Sequence, residues 1–344
     1  MKKTENFLFF FYFSLVFSFF SNAKPERQID WKLYKAKFHK TYTSEQAEKE
    51  ANRNYITNLK DAARASLKSS DRGAFFGINQ FSDIDYPHFV KSYTGYKPST
   101  HINKAQISQK SQTSQIETHS LSLNIKYVDW NETLSMLPPR FQGNCGSCWA
   151  FSSAAALEAY YVITTGGPYR YFSVQQIVDC CTMDCFGCAG GSIYAAFETI
   201  TKYRINYDHY YPYIATEETC HPNMTSFRSA FRIHSFKWAR PLDEFDVISA
   251  LQKQPLAVAV HASKAWMMYG GGVIQRNQCS DDIKDLNHAV LLVGYTEEYW
   301  LVRNSWGTKW GEKGHIRLAR GNTCGILHDV SWPSMDSFDE NSNL

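Results

Sequence analysis

Three observations in this 344-residue chain predict an α+β fold, helical in its first part and sheet-forming in its last. Trp31, Tyr34 and Phe38 recur at three- and four-residue spacing, and Ser44 opens a stretch to about Leu67 rich in Ala, Glu, Lys and Asn. A strongly apolar segment from Cys148 to Thr165 is closed by Gly166-Gly167, an ordinary helix stop. Beyond about residue 230, the runs 256–262, 289–295, 299–303 and 314–319 are β-branched or apolar with turn residues between them.

Taken in chain order, Lys2 and Lys3 precede an apolar run from Phe7 to Phe20, and Ser21-Asn22-Ala23 offers a small-residue cleavage site. Fourteen helical residues cover about 21 Å, short of a hydrocarbon core of roughly 30 Å, so residues 1–23 read as a signal peptide and no stable membrane insertion is expected after its removal. Residues 24–123 carry 16 Lys+Arg against 10 Asp+Glu, whereas 124–344 carry 18 against 22. Pro98 to Lys126 contains no Phe, Trp or Tyr and is dominated by Ser, Gln, Thr and Asn, which reads as an extended linker over 99–123. The net charge of +3 gives no reason to expect nucleic acid, and 15% aromatic residues exclude a disordered, collagen-like or coiled-coil chain.

All nine cysteines fall between Cys145 and Cys324, and an odd count in a secreted chain leaves one thiol over. Cys148 sits where a Gly-containing loop, QGNCGSC, runs into the apolar helix. Unpaired N–H groups and the positive helix end favour a thiolate there. A thiolate nucleophile needs a base and a group to orient that base. His288, between a polar turn and an apolar strand, and Asn304, ending the next strand, suit those roles. Trp306 would shield their hydrogen bond, and Gln142 with the Cys148 N–H would face an oxyanion. Each residue alone has an ordinary reading: Cys148 as half a disulfide, His288 in a core, Asn304 in a turn, and Trp306 as packing.

Four separated motifs carry a resemblance: QGNCGSCWAFS (142–152), GCAGG (187–191), NHAVLLVGY (287–295) and RNSWGTKWGEKGHIRLARG (303–321). From about residue 28 to the C-terminus the chain resembles papain-family cysteine proteases, whose Cys-Gly-Ser-Cys-Trp signature stands at 145–149. GINQFSD (77–83) matches a motif of the family's inhibitory propeptide, whereas Ala51 and Ala62 depart from its helical motif and Ala189 replaces the usual Asn.

The resemblance implies a papain-like two-lobed fold, with a helical lobe and a β-barrel-like lobe behind a mainly helical inhibitory propeptide. It divides the chain into propeptide 24–98, activation linker 99–123 and catalytic domain 124–344. It assigns Cys148, His288 and Asn304 to catalysis, Gln142 to the oxyanion, and Gly190, Gly191 and Trp306 to substrate binding. It pairs Cys145 with Cys188, Cys180 with Cys220 and Cys279 with Cys324, leaving Cys181 and Cys185 as a possible fourth bridge and Cys148 as the thiol. Asp329 aligns with the floor of the S2 pocket, where an acid would tolerate Arg or Lys at P2 beside the usual apolar residue.

The implied activity is a monomeric endopeptidase acting on peptides and proteins, with its own propeptide as intramolecular inhibitor and with no metal or cofactor. The signal places it in the secretory pathway, either secreted or lysosomal/vacuolar. Asn131-Glu-Thr133 and Asn223-Met-Thr225 are candidate glycosylation sites. The charge split predicts acid-triggered loss of the propeptide, partly mimicked by high salt. An inhibitory decoy on the same scaffold is disfavoured because the nucleophile and its partners are all present. The inhibitor-like N-terminal segment disfavours an amidase or a transglutaminase-like enzyme.

Overall fold

The computed structural model describes residues 30–69, 73–100, 126–134, 136–221 and 231–335. The expected signal peptide, nearly all of the expected linker, and Asn223 lie outside the described residues. The chain divides into two compact units, Met1–Asn52 and Arg53–Leu344.

In the first unit, helix α1 (Trp31–Phe38) starts at Asp30, whose carboxylate accepts from Lys32 N, and stops at His39 in the left-handed region. Trp31 stacks on Tyr34 and Tyr42, and its indole N–H donates to Glu48, which also pairs with Lys35. Helix α2 (Glu45–Leu67) begins behind Ser44, whose hydroxyl accepts from Ala47 N at 3.1 Å, and runs on into the second unit.

The second unit continues with β1 (Phe75–Phe76), α3 (Tyr86–Tyr93), β2 (Val128–Asp129) and α4 (Trp130–Leu134). The helices α5 (Cys148–Thr165), α6 (Val174–Cys180) and α7 (Ile193–Lys202) follow. Then come β3 (Ser235–Trp238), α8 (Glu244–Leu251), β4 (Leu256–Val260), α9 (Lys264–Met267), β5 (Tyr269–Gly271) and β6 (Val273–Ile274). The last four strands are β7 (His288–Tyr295), β8 (Tyr299–Arg303), β9 (His315–Ala319) and β10 (Val330–Ser334). The main sheet has the order β3-β10-β4-β7-β8-β9-β6, with β2 added on β7. Among the described residues this is an open path, so the barrel-like expectation is met by a sheet that does not close.

Two hydrophobic cores lie on opposite faces of β4 and β7. Leu256, Val258, Val260, Val290 and Leu292 join one core with Trp266, Trp300, Trp306 and Trp310. Ala257, Ala259, Ala289, Leu291 and Val293 join the other with Trp149, Leu157, Phe172 and Phe197. Side chains alternate with a period of two along a strand, so a strand covered on both faces must be apolar throughout. That is why residues 256–260 and 289–293 read as unbroken apolar runs. Four disulfides join Cys145–Cys188, Cys180–Cys220, Cys181–Cys185 and Cys279–Cys324, and Cys148 is the free cysteine.

Several elements lacked a clear sequence signal. α8 interrupts the strand-rich part, starting at Asp243, whose carboxylate accepts from Asp246 N. β10 contains Pro333, a residue that reads as a strand breaker, yet pairs with β3 on one side and with β4 on the other near its start.

Candidate active site

Helix α5 carries Cys148 in its first turn, and its C-terminus is closed by Gly166 at φ 66. Ser147 precedes it without a side-chain cap, so the first backbone N–H groups stay available to a group at the helix N-terminus. Cys148 is fully buried. Burial pushes its thiol up to about 12, against backbone hydrogen bonds from Ala289, Trp149 and Tyr96.

His288 opens β7 and is also fully buried. Its Nε2 lies 2.9 Å from Asn304 Oδ1, an oxygen that also accepts from Ser305 N at 2.8 Å. Because that oxygen only accepts, Nε2 must carry a proton, and a neutral ring then leaves Nδ1 as a bare base. Among the described residues neither the buried Nδ1 nor the buried Asn304 Nδ2 has a hydrogen-bond partner. Burial lowers the His288 pKa to about 4, with the Asn304 hydrogen bond opposing the shift. Trp306 stacks on the imidazole at 4.6 Å between centroids, and Trp266 meets it edge-on at 6.2 Å.

Gln142 is held in place from several sides. Its Nε2 donates to Cys145 O, its Oε1 accepts from Ser305 Oγ, and its backbone N–H donates to Ser305 O. One amide proton remains to be donated elsewhere. Tyr213, which carried no sequence signal, donates to Gln142 O at 2.7 Å and lies 2.6 Å from Ser147 Oγ.

Residues 73–100 cover this constellation. Asn79 Nδ2 donates to Met267 O, Gln80 to Trp306 O, and Tyr86 to Ala262 O. Phe81 and Phe89 stand edge-on to Trp306, whose indole N–H donates to Tyr93 O. Gly95 and Tyr96 then cross the Cys148 end of α5, both donating to Asn287 O at 2.9 Å. Gly191 N donates to Gly95 O, and Lys97 N donates to Gly191 O at 2.8 Å, so the segment adds a short parallel bridge beside Gly190 and Gly191. A side chain at Gly95 would overlap the Gly146 carbonyl, which is why a glycine stands there.

Asp329, just before β10, is buried. The Tyr96 hydroxyl donates to its Oδ2 at 2.7 Å, and Ser331 Oγ lies 3.5 Å from Oδ1. Burial raises the Asp329 pKa, against those two hydrogen bonds. The Asn131 side-chain amide lies between Asp129 and His315, with Nδ2 donating to Asp129 Oδ1 at 3.0 Å. No group of three or more His, Cys, Asp or Glu among the described residues is arranged to hold a metal, and no described helix is long and apolar enough to cross a membrane.

A buried cysteine at a helix N-terminus, an imidazole held by an amide, and a chain segment laid across both define a thiol hydrolase in a covered state. A family model described as papain family cysteine protease matches residues 125–334. The chain is 35% identical over 314 residues to Cathepsin L 1 of Paramecium tetraurelia, covering 88% of this chain and 90% of that one. It is 31% identical over 287 residues to Papain of Carica papaya, covering 80% and 78%. The crystal structure of the ragweed pollen allergen Amb a 11 cysteine protease in its proform matches with a TM-score of 0.74 and 29% identity over 89% of this chain and 94% of that one. The chain belongs to the papain family of cysteine proteases, and it is a zymogen. Its own propeptide, as in the proform it resembles, acts as the intramolecular inhibitor.

Proposed function

We propose that the mature protein is a cysteine endopeptidase in which Cys148 and His288 form the thiolate–imidazolium pair. The observation that carries this reading is the His288–Asn304 hydrogen bond, which commits Nε2 and leaves Nδ1 to take the proton of Cys148. The sulfur attacks the peptide carbonyl, and the spare amide proton of Gln142 and the Cys148 N–H hold the oxyanion. His288 protonates the leaving amine, then activates the water that releases the acyl-enzyme. Gly190 and Gly191 take the substrate backbone, Trp306 shields the His288–Asn304 bond, and Asp329 floors the pocket for the P2 side chain.

In this reading residues 24–98 are the propeptide, cleavage falls within 99–126, residues 124–344 are the catalytic domain, and the enzyme works as a monomer. The leader sends it through the secretory pathway to an acidic organelle or the outside, where acid removes the propeptide. The full-length zymogen and a Cys148→Ser variant, brought to about pH 4.5 with a thiol reductant, test the proposal. The wild type is expected to lose its propeptide and cleave a fluorogenic peptide with an apolar P2 residue, and the variant to do neither. Equal processing of both would remove Cys148 from the role of nucleophile.

A further inference from the structure

The carboxylate of Asp329 accepts a hydrogen bond from a tyrosine of the segment that covers Cys148. The ring of Tyr96 is buried in the hydrophobic cluster that holds Cys148, Trp149, Leu286 and Ala289, and its hydroxyl meets Asp329 Oδ2 at 2.7 Å. Its backbone is fixed by Asn287 O and by the bridge to Gly191, the glycine placed at the substrate backbone. Tyr96 thus occupies the pocket as a tethered side chain would.

We propose that the pocket floored by Asp329 is built for a phenol, so that the mature enzyme selects tyrosine at P2 and Tyr96 is the internal copy of that side chain. The proposal rests on the endopeptidase reading above and names its substrate class. A phenol brings one donor, and Asp329 accepts it at the end of an apolar sleeve. A guanidinium brings five donors and an ammonium three, while the polar side chains found at this end are Asp329 and Ser331 alone among the described contacts. The surplus donors of a basic residue would be buried without partners, which is costly. Phenylalanine fills the same volume but leaves the buried carboxylate without its donor, so a site of this kind discriminates against it.

The test uses enzyme matured from the full-length zymogen at pH 6.5 to 7, with peptides differing only at P2: Tyr, Phe, Leu and Arg. Tyrosine is expected to exceed phenylalanine in kcat/KM by about 10- to 100-fold, the worth of a hydrogen bond to a charged acceptor. In Asp329→Ala and Asp329→Asn that ratio is expected to fall toward unity, with iodoacetamide labelling of Cys148 reporting that each variant is folded. In the uncleaved chain, Tyr96→Phe is expected to mature faster than wild type. A tyrosine-to-phenylalanine ratio near one, a ratio that survives Asp329→Ala, or arginine ahead of tyrosine would overturn the proposal. Failure of the matured wild type to cleave any of the four peptides overturns the endopeptidase reading itself, and is told apart by that absence of all turnover.

Discussion

At the residue scale, the covered state holds Cys148 and His288, the proposed nucleophile and base, in their neutral forms. Burial raises the Cys148 thiol to about 12 and lowers the His288 imidazole to about 4, and each shift disfavours the charged pair that attack requires. The zymogen thiol is therefore expected to react with iodoacetamide at pH 7.5 at least about 100-fold more slowly than the mature enzyme, because the thiolate is the reacting species. Gly95→Ala is expected to recover most of that rate without any cleavage, since a methyl group there cannot coexist with the Gly146 carbonyl. Equal labelling of zymogen and mature enzyme would show that residues 95–96 do not control the thiol. The sequence pointed to Cys148, His288, Asn304 and Gln142 through local pattern, but Gly95 and Tyr96 carried no signal. Their importance comes from what lies across from them, and neither residue type nor spacing encodes that.

At the scale of elements, the loop closed by Cys181–Cys185 has a task that its spacing did not reveal. It holds Asp184 at φ 50, and the Asp184 carboxylate accepts from Ser99 Oγ at 2.8 Å and from Thr100 N at 3.0 Å. Alongside, the Lys97 ammonium lies 4.3 Å from the centre of the Phe186 ring. This loop grips residues 97–100, where the expected propeptide gives way to the expected linker. Asp184→Ala is expected to speed maturation by about 3- to 10-fold at pH 5, the worth of roughly one ordinary hydrogen bond, because these contacts are partly exposed to solvent. An unchanged time course on gels would show that the grip contributes nothing to the seal. The strands at 256–260 and 288–295 were legible because burial on two faces makes them continuously apolar, whereas those at 299–303 and 315–319 bury roughly alternate residues and were legible from their β-branched and apolar content. α3, α8 and β10 were not, being short elements whose composition is decided by the surfaces they meet.

At the scale of the whole molecule, the proposed acid trigger has to work through groups whose protonation differs between covered and open states. His288 binds its proton less readily when covered, so between about pH 6.5 and 4 the open state holds more protons and falling pH favours opening. A shift of that size corresponds to about 3 kcal/mol. Asp329 works the other way, since burial raises its pKa and protonation then favours the covered state. In the uncleavable Cys148→Ser zymogen, digestion by a trace of mature enzyme is expected to accelerate across that window. Adding His288→Ala should flatten the acceleration when both are compared at each pH. Identical profiles would move the trigger elsewhere. One close contact runs against the overall charge split, since Asp61 pairs with Lys264, while Phe81 and Phe89 pack edge-on against Trp306.

What the sequence determined by itself was the chemistry and the order of its parts. A thiol at a helix start, a histidine before an apolar strand, an amide after the next strand and a polar aromatic-free linker are all local patterns, set by residues within a few positions of one another. The tertiary structure decided which of those groups face each other and what covers them. β4 and β7 present alternate residues to two different cores, Tyr96 reaches Asp329 across 233 positions of chain, and a short disulfide loop finds Ser99 and Thr100. Contacts between distant segments depend on the packing of all the elements between them, so they become visible only when the chain is folded.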